Sequence, residues 1–280
     1  MSIADAVGLV LARPSRLLGA EPFFMEFIAG IEERLAEHDR SVLLHIVTTH
    51  EQEVAAYRRW AAHRTVDAVV LVNRAVHDTR PAALRELGIP VVVAGEPAGD
   101  APTVRTNDEG AVHQAVSHLH DLGHRRIARI SGPNTLLHTR TRTRALLQAA
   151  GAAGIEAIVE EGDYSEESGA KLTEMLLNRP DPPTAIVYDN DLMAVAGLNA
   201  AKELGVRVPH DLSLIAWDDS SLCRLTSPAL TAMSLDVHLF GQIVADSTLD
   251  LIAGTPVAER WCPTATLVAR ETSASALIAR

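Results

Sequence analysis

Side chains able to grip a small polar molecule stand directly after the short apolar runs of this 280-residue chain. Val7 to Leu11 is followed by Arg13-Pro14 and then by Pro22-Phe23-Phe24. Ile127 to Ile130 is followed by Ser131-Gly132-Pro133, beyond which come His138, Arg140, Arg142 and Arg144. Ala185 to Val187 exits through Tyr188 into Asp189-Asn190-Asp191, and Leu212 to Ala216 into Trp217-Asp218-Asp219-Ser220; Asp163 and Tyr164 precede a helical stretch. Carboxylates and amides exchange paired hydrogen bonds with hydroxyls, a guanidinium offers a planar fork, and aromatic rings cover apolar sugar faces. The set suits a small polyhydroxylated ligand.

Each group also has a purely structural use. Asp189-Asn190-Asp191 and Asp218-Asp219 can cap the helices they precede. Phe27 is expected in the core, while Phe23 or Phe24 is open to a ligand, and at least one of Arg140, Arg142 and Arg144 belongs to a solvated surface. The acidic exits also allow an enzyme reading, as a general acid/base pair or a divalent metal site. Against it, no Gly-x-Ser-x-Gly elbow, phosphate loop or dinucleotide fingerprint occurs, and Gly151 to Gly154 reads as a helix ending. His113, His118, His120 and His124 invite a metal reading, but Gly123 interrupts the helix and the nearby carboxylates are not arranged at any recognised ligand spacing. No catalytic residue, metal or cofactor is expected.

The elements that must position these groups follow from periodicity. Apolar runs at Val42 to Val47, Ala68 to Val72, Val91 to Val93 and Ile155 to Val159 join those above, with amphipathic stretches between them. Phe24, Phe27, Ile28, Ile31 and Leu35 share one helical face, and Val237 to Ile252 reads as one long helix. Runs apolar on both faces belong to strands buried between helical layers. The fold class is α/β: two consecutive half-chains of βα units forming two similar Rossmann-like lobes with mostly parallel sheets. In such sheets ligands sit beyond the carboxyl ends of the strands, which places the expected ligand between the lobes. The net charge of −11 argues against this chain gripping nucleic acid by itself. Two cysteines, Cys223 and Cys262, fit a reducing cytosol, and the first residues lack a signal-peptide pattern. A cytoplasmic protein without a membrane span is expected.

In combination, Pro22-Phe23-Phe24, Asp121-Leu122-Gly123-His124-Arg125-Arg126-Ile127-Ala128, Ser131-Gly132-Pro133, Pro183-Thr184-Ala185-Ile186, Asn190-Asp191-Leu192-Met193-Ala194, Val208-Pro209-His210-Asp211 and Leu239-Phe240-Gly241 resemble the LacI/GalR family of transcriptional regulators. The resemblance runs in order along essentially the whole chain. It implies a periplasmic-binding-protein-like core of two lobes joined by three crossings, divided as 1–105 plus 235–261 and 106–234 plus 262–280. It further implies a homodimer, a sugar-like effector, allostery, and operator DNA bound only through an N-terminal headpiece. The helix-turn-helix of that headpiece finds no room before the first strand near Ala6, so a shortened chain, or a regulator without its DNA-reading part, is expected. Position by position, the resemblance makes Arg142 the effector clamp, Asn190 the amide that meets hydroxyls and Asp218 the partner carboxylate. Phe24, His138, Tyr164 and Phe240 are further lining positions. The alternatives are a solute-binding receptor for a transporter, which would need an export signal, and the metal- or carboxylate-dependent enzyme. Gly95, Leu235 and Val237 stand where sugar-binding members are often polar, which leaves the effector's identity open.

Overall fold

The apolar runs form strands and the amphipathic stretches between them form helices in a computed structural model that describes residues 4–13 and 22–276. Pro14, expected at the first strand exit, lies outside the described residues. The chain divides into unit 1, Met1–Thr106 with Asp236–Pro263, and unit 2, Asn107–Leu235 with Thr264–Arg280.

Unit 1 begins with β1 (Ala6–Ala12), α1 (Pro22–Ala36), β2 (Ser41–Val47), α2 (His50–His63), β3 (Ala68–Leu71), α3 (Arg80–Glu86), β4 (Val91–Ala94) and β5 (Thr103–Arg105). Unit 2 follows with α4 (Asp108–Asp121), β6 (Arg126–Ser131), α5 (Leu137–Ala152), β7 (Glu156–Glu161), α6 (Glu166–Leu177), β8 (Ala185–Tyr188), α7 (Asp191–Glu203), β9 (Ser213–Trp217), α8 (Ser221–Leu225) and β10 (Thr231–Ser234). The chain returns to unit 1 for α9 (Val237–Ile252) and β11 (Arg260–Trp261) and ends in unit 2 with β12 (Thr266–Val268).

The sheet of unit 1 has the order β11-β5-β4-β3-β1-β2 and every pairing is parallel. That of unit 2 is β12-β10-β9-β8-β6-β7, parallel except for the pairing of β10 with β12. Central strands are apolar on both faces because helices cover both: all of β3 and all of β8 are buried. In unit 2, Val112, Val116 and Leu146 pack on one face with Trp217 and Met233, while Leu176, Met193 and Leu198 pack on the other with Tyr188. In unit 1, α1 and α9 cross where both lack side chains. A Cβ on Gly30 would lie 2.1 Å from the His238 carbonyl oxygen, and one on Gly241 would lie 2.3 Å from that of Phe27.

Sequence reading and structure differ in the shortest strands and at one helix start. The three residues of β5 and two of β11 are too short for a periodic signal. Helix α5 starts at Leu137, where periodicity predicts a start near Arg140, although Thr139, Thr141 and Thr143 are weak helix formers. Burial of Thr139 and the contacts described below override that propensity.

Candidate functional site

The carboxyl ends of the unit 2 strands gather most of the expected polar groups. Trp217, the last residue of β9, is 2% exposed, and the Arg142 guanidinium stacks over its ring at 4.2 Å from the centroid. Arg142 Nε donates to Asp108 Oδ1 at 2.8 Å, so the side chain is held between an aromatic plane and a carboxylate at the start of α4. Burial would favour loss of its proton, but the carboxylates of Asp108, Asp189 and Asp218 outweigh burial and hold its pKa above the usual arginine range. Arg142 therefore stays a cation, with one edge of its fork already engaged.

Tyr164 and His138 form a second cluster. The Tyr164 hydroxyl lies 2.8 Å from His138 Nε2 and 3.4 Å from Thr139 Oγ1. Its backbone is left-handed, at φ +69°, a rare conformation for a bulky side chain. Asn190 locks it there by donating from Nδ2 to the Tyr164 carbonyl at 3.1 Å. The Asn190 Oδ1 accepts from Met193 N at 2.9 Å, which is the N-cap of α7. Both ends of the amide thus carry structural bonds, so the capping use is realised on the residue also expected to meet a ligand. Asp218 is left-handed as well, at φ +62°, so the chain turns sharply at the exit of β9.

Gly132, at the exit of β6, makes room for the tyrosine. A Cβ there would stand 2.1 Å from Tyr164 Cζ. Beneath these groups the expected exit carboxylate Asp189 pairs with Arg129, a partner that motif reading did not single out. Arg129 on β6 and Asp189 after β8 are each 1% exposed and share two hydrogen bonds, Nε to Oδ1 at 2.8 Å and Nη2 to Oδ2 at 2.6 Å. Burial would raise the Asp189 pKa, but Arg129, Arg142 and the Gly132 N–H bond lower it overall. A lone arginine within an apolar strand run was the available signal. The other acidic exits are only partly engaged: Asp219 Oδ2 accepts from Arg270 Nη2 at 2.7 Å while its Oδ1 has no hydrogen bond, and Asp191, whose Oδ2 also lacks one, has its pKa pushed up by burial.

In unit 1 the exit of β1 places Arg13 over the Phe24 ring, 5.2 Å from its centroid. Phe24 meets Phe23 edge-on at 5.3 Å, Phe23 stacks on Phe27 at 6.1 Å, and Phe27 touches Phe240 at 5.2 Å. Phe24 and Phe240 are 3% and 5% exposed, so Phe240 forms core packing behind Phe27. After β3, a buried ionic network joins Arg80 to Asp78 and Glu53, and Arg74 to Asp78, none of it foreseen from motifs. Among the described residues no group of three or more His, Cys, Asp or Glu is placed to hold a metal ion. His118 instead contacts Ser273 Oγ at 3.0 Å, and His124 lies between Thr184 and the Ala274 carbonyl. No helix among the described residues is long and apolar enough to cross a membrane.

Comparison with known proteins places these observations in a family. The periplasmic binding protein-like domain matches residues 116–273, more than half of the chain. The transcriptional regulator AglR of Rhizobium meliloti is 35% identical over 77% of this chain, which spans 62% of AglR. A LacI family transcriptional regulator from Bifidobacterium animalis subsp. lactis superposes with a TM-score of 0.91 at 33% identity, covering 99% of this chain and all of the other. The complex of the transcriptional regulator CelR with cellobiose superposes with a TM-score of 0.89 at 30% identity, covering 96% of this chain and 84% of CelR. The chain belongs to the LacI family of transcriptional regulators, and its two α/β sheets have the periplasmic-binding-protein-like fold.

Proposed function

We infer that this chain is the effector-binding and dimerisation core of a cytoplasmic transcriptional regulator, and that its effector is a neutral, sugar-like polyol bound without chemical change. The observation that carries this reading is Arg142, a buried cation stacked on Trp217 and facing Asp108 and Asp218. A ligand hydroxyl can bridge such a cation and its carboxylates, accepting from the one and donating to the others. Charge favours a neutral ligand. Arg142 faces Asp108, Asp189 and Asp218, and Arg129 pairs with Asp189, two positive groups against three negative ones, so an added anion would meet net repulsion. Tyr164, His138 and Asn190 line the same exits. Within unit 1, Phe24 lies beneath Arg13, with Phe240 behind Phe27.

Binding switches the protein by favouring one of two conformations, for which a coupling of ~1–3 kcal/mol is enough. The switch so produced would alter the regulator's affinity for operator DNA. The test is a thermal-shift and calorimetry series with cellobiose, other neutral mono- and disaccharides, and gluconate. A neutral sugar at about 100 times its Kd should add ~2.7 kcal/mol of stability, with gluconate inert. Arg142→Lys should weaken that binding at least tenfold, because lysine has neither the fork nor the planar stack. Preference for gluconate, or conversion of any sugar to product, would overturn the reading.

A further inference from the structure

Helix α5 carries Arg142, yet its amino-terminal end is poorly stabilised by its own sequence. Leu136 at the N-cap makes no side-chain capping bond, the first turn holds no acidic residue, and His138, Arg140, Arg142 and Arg144 load its first half with basic groups. Cations at a helix amino terminus oppose the helix dipole. Something outside the helix must hold this turn, and the buried pair beneath it is in contact with it. Arg129 Nη1 donates to Thr143 Oγ1 at 2.5 Å, and both terminal nitrogens of Arg129 lie 3.5 Å from the Thr139 carbonyl. Thr143 Oγ1 in turn donates to that carbonyl at 2.8 Å. Thr139 and Thr143 belong to the turn from which Arg142 projects.

The other side of the pair fixes the strand exits. Asp189 accepts both bonds of the Arg129 fork and a third from Gly132 N at 2.9 Å, so the exits of β6 and β8 are tied to one carboxylate. Asp189 also attracts Arg142 through space. We propose that Arg129 and Asp189 are positioning residues for the effector site: the pair clamps the Thr139–Thr143 turn of α5 to the exits of β6 and β8, and so sets where Arg142 lies over Trp217. The link to the effector rests on the sugar-binding reading above, but the placement of Arg142 can be read without any ligand.

The experiment compares Trp217 fluorescence, isolated by subtracting the spectrum of each protein carrying Trp217→Phe. Arg142→Met provides the reference for a Trp217 without its cation. The double variant Arg129→Leu/Asp189→Leu removes both buried charges together, which leaves no unpaired ion and keeps the fold accessible. Its Trp217 spectrum should move at least halfway to that of Arg142→Met, while circular dichroism stays that of the wild type. Thr143→Val, which removes only the hydroxyl that Arg129 grips, should move it in the same direction by a smaller amount and keeps the test open where the double variant does not fold. A folded variant of either kind with the wild-type Trp217 spectrum would overturn the proposal. Calorimetry with cellobiose and the other neutral sugars separates the two readings: no binding by the wild type defeats the sugar assignment alone, whereas an unmoved Trp217 spectrum defeats the clamp alone.

Discussion

Gly132→Ala should be damaging for a reason specific to one neighbour. The glycine's backbone is not left-handed, so alanine meets no torsional penalty there. Its Cβ would, however, lie 2.1 Å from Tyr164 Cζ and 2.2 Å from the hydroxyl. Carbon atoms rest at about 3.5–4.0 Å, so the ring must retreat by roughly 1.5 Å or more. That retreat breaks the 2.8 Å contact with His138 Nε2, worth about 1 kcal/mol, and strains a packed ring whose backbone Asn190 holds in place. Off-rotamer packing adds about 1–2 kcal/mol, for a total of roughly 2–3 kcal/mol. For a domain near 150 residues this corresponds to a fall in Tm of roughly 4–12 °C. Calorimetric unfolding of four proteins, wild type, Gly132→Ala, Tyr164→Ala and the double variant, measures it. Adding the alanine to Tyr164→Ala should cost less than about 0.5 kcal/mol, because the obstructing ring is gone. An equal loss in both backgrounds would refute the steric account.

Three further outcomes are expected. Burial would raise the Asp78 pKa, but its bonds to Arg80 and Arg74 bring it down to about 2, so its contribution to unit 1 is full above the ordinary carboxylate pKa and disappears as pH falls through about 2; Asp78→Asn should flatten that part of an acid titration followed by near-ultraviolet dichroism. His124 is shifted the other way for its type: burial, with help from His118 and Arg125, outweighs its bond to Ala274 and lowers its pKa, so stability is full above the ordinary histidine value and declines as pH falls below it. His124→Gln should remove that decline from the exchange of the Ala276 amide, which bonds the Leu122 carbonyl at 2.8 Å. Leu225, at 80% the most exposed large apolar side chain among the described residues, would be covered twice if α8 lies at the seam of the two-fold dimer proposed above; on that assignment Leu225→Glu should weaken self-association about a hundredfold or more in sedimentation, and an unchanged dimer would remove α8 from the interface.

Much of this arrangement was legible because strand exits in parallel sheets leave a strong local signal. Apolar runs ending in Asp-Asn-Asp or Trp-Asp-Asp identify β8 and β9 and the groups that follow them. Arg142 was legible as a site candidate through its family pattern, but its stacking on Trp217 depends on two elements 75 residues apart and has no local signature. Asn190 shows a second limit: capping and ligand binding favour the same side chain, so residue type alone cannot divide them. Phe240 shows a third, since an aromatic ring at a lining position and one packed against Phe27 look alike in sequence. The networks of Arg80 and Arg129 were hidden because Glu53 reaches Arg80, and Asp189 reaches Arg129, only once the chain has folded.

Those two networks occupy corresponding places, at the carboxyl end of each sheet. Arg80 with Asp78 and Glu53 in unit 1, and Arg129 with Asp189 in unit 2, are nearly inaccessible to solvent. An apolar pair of similar volume would serve stability at least as well, because desolvating two charges offsets most of their attraction. What an apolar pair lacks is direction. The Arg129 fork fixes the angle between two strand exits and a helix turn through bonds of 2.5–2.8 Å, whereas leucines would let the same turn slide over a smooth surface. Removing only one partner should therefore be far worse than removing both: Arg129→Leu alone strands the Asp189 charge and should cost about 3–5 kcal/mol, while the double leucine variant should keep its melting temperature and lose only the placement of Arg142. A double variant as unstable as the single one would mean that the pair serves the fold as a whole rather than the geometry of one turn.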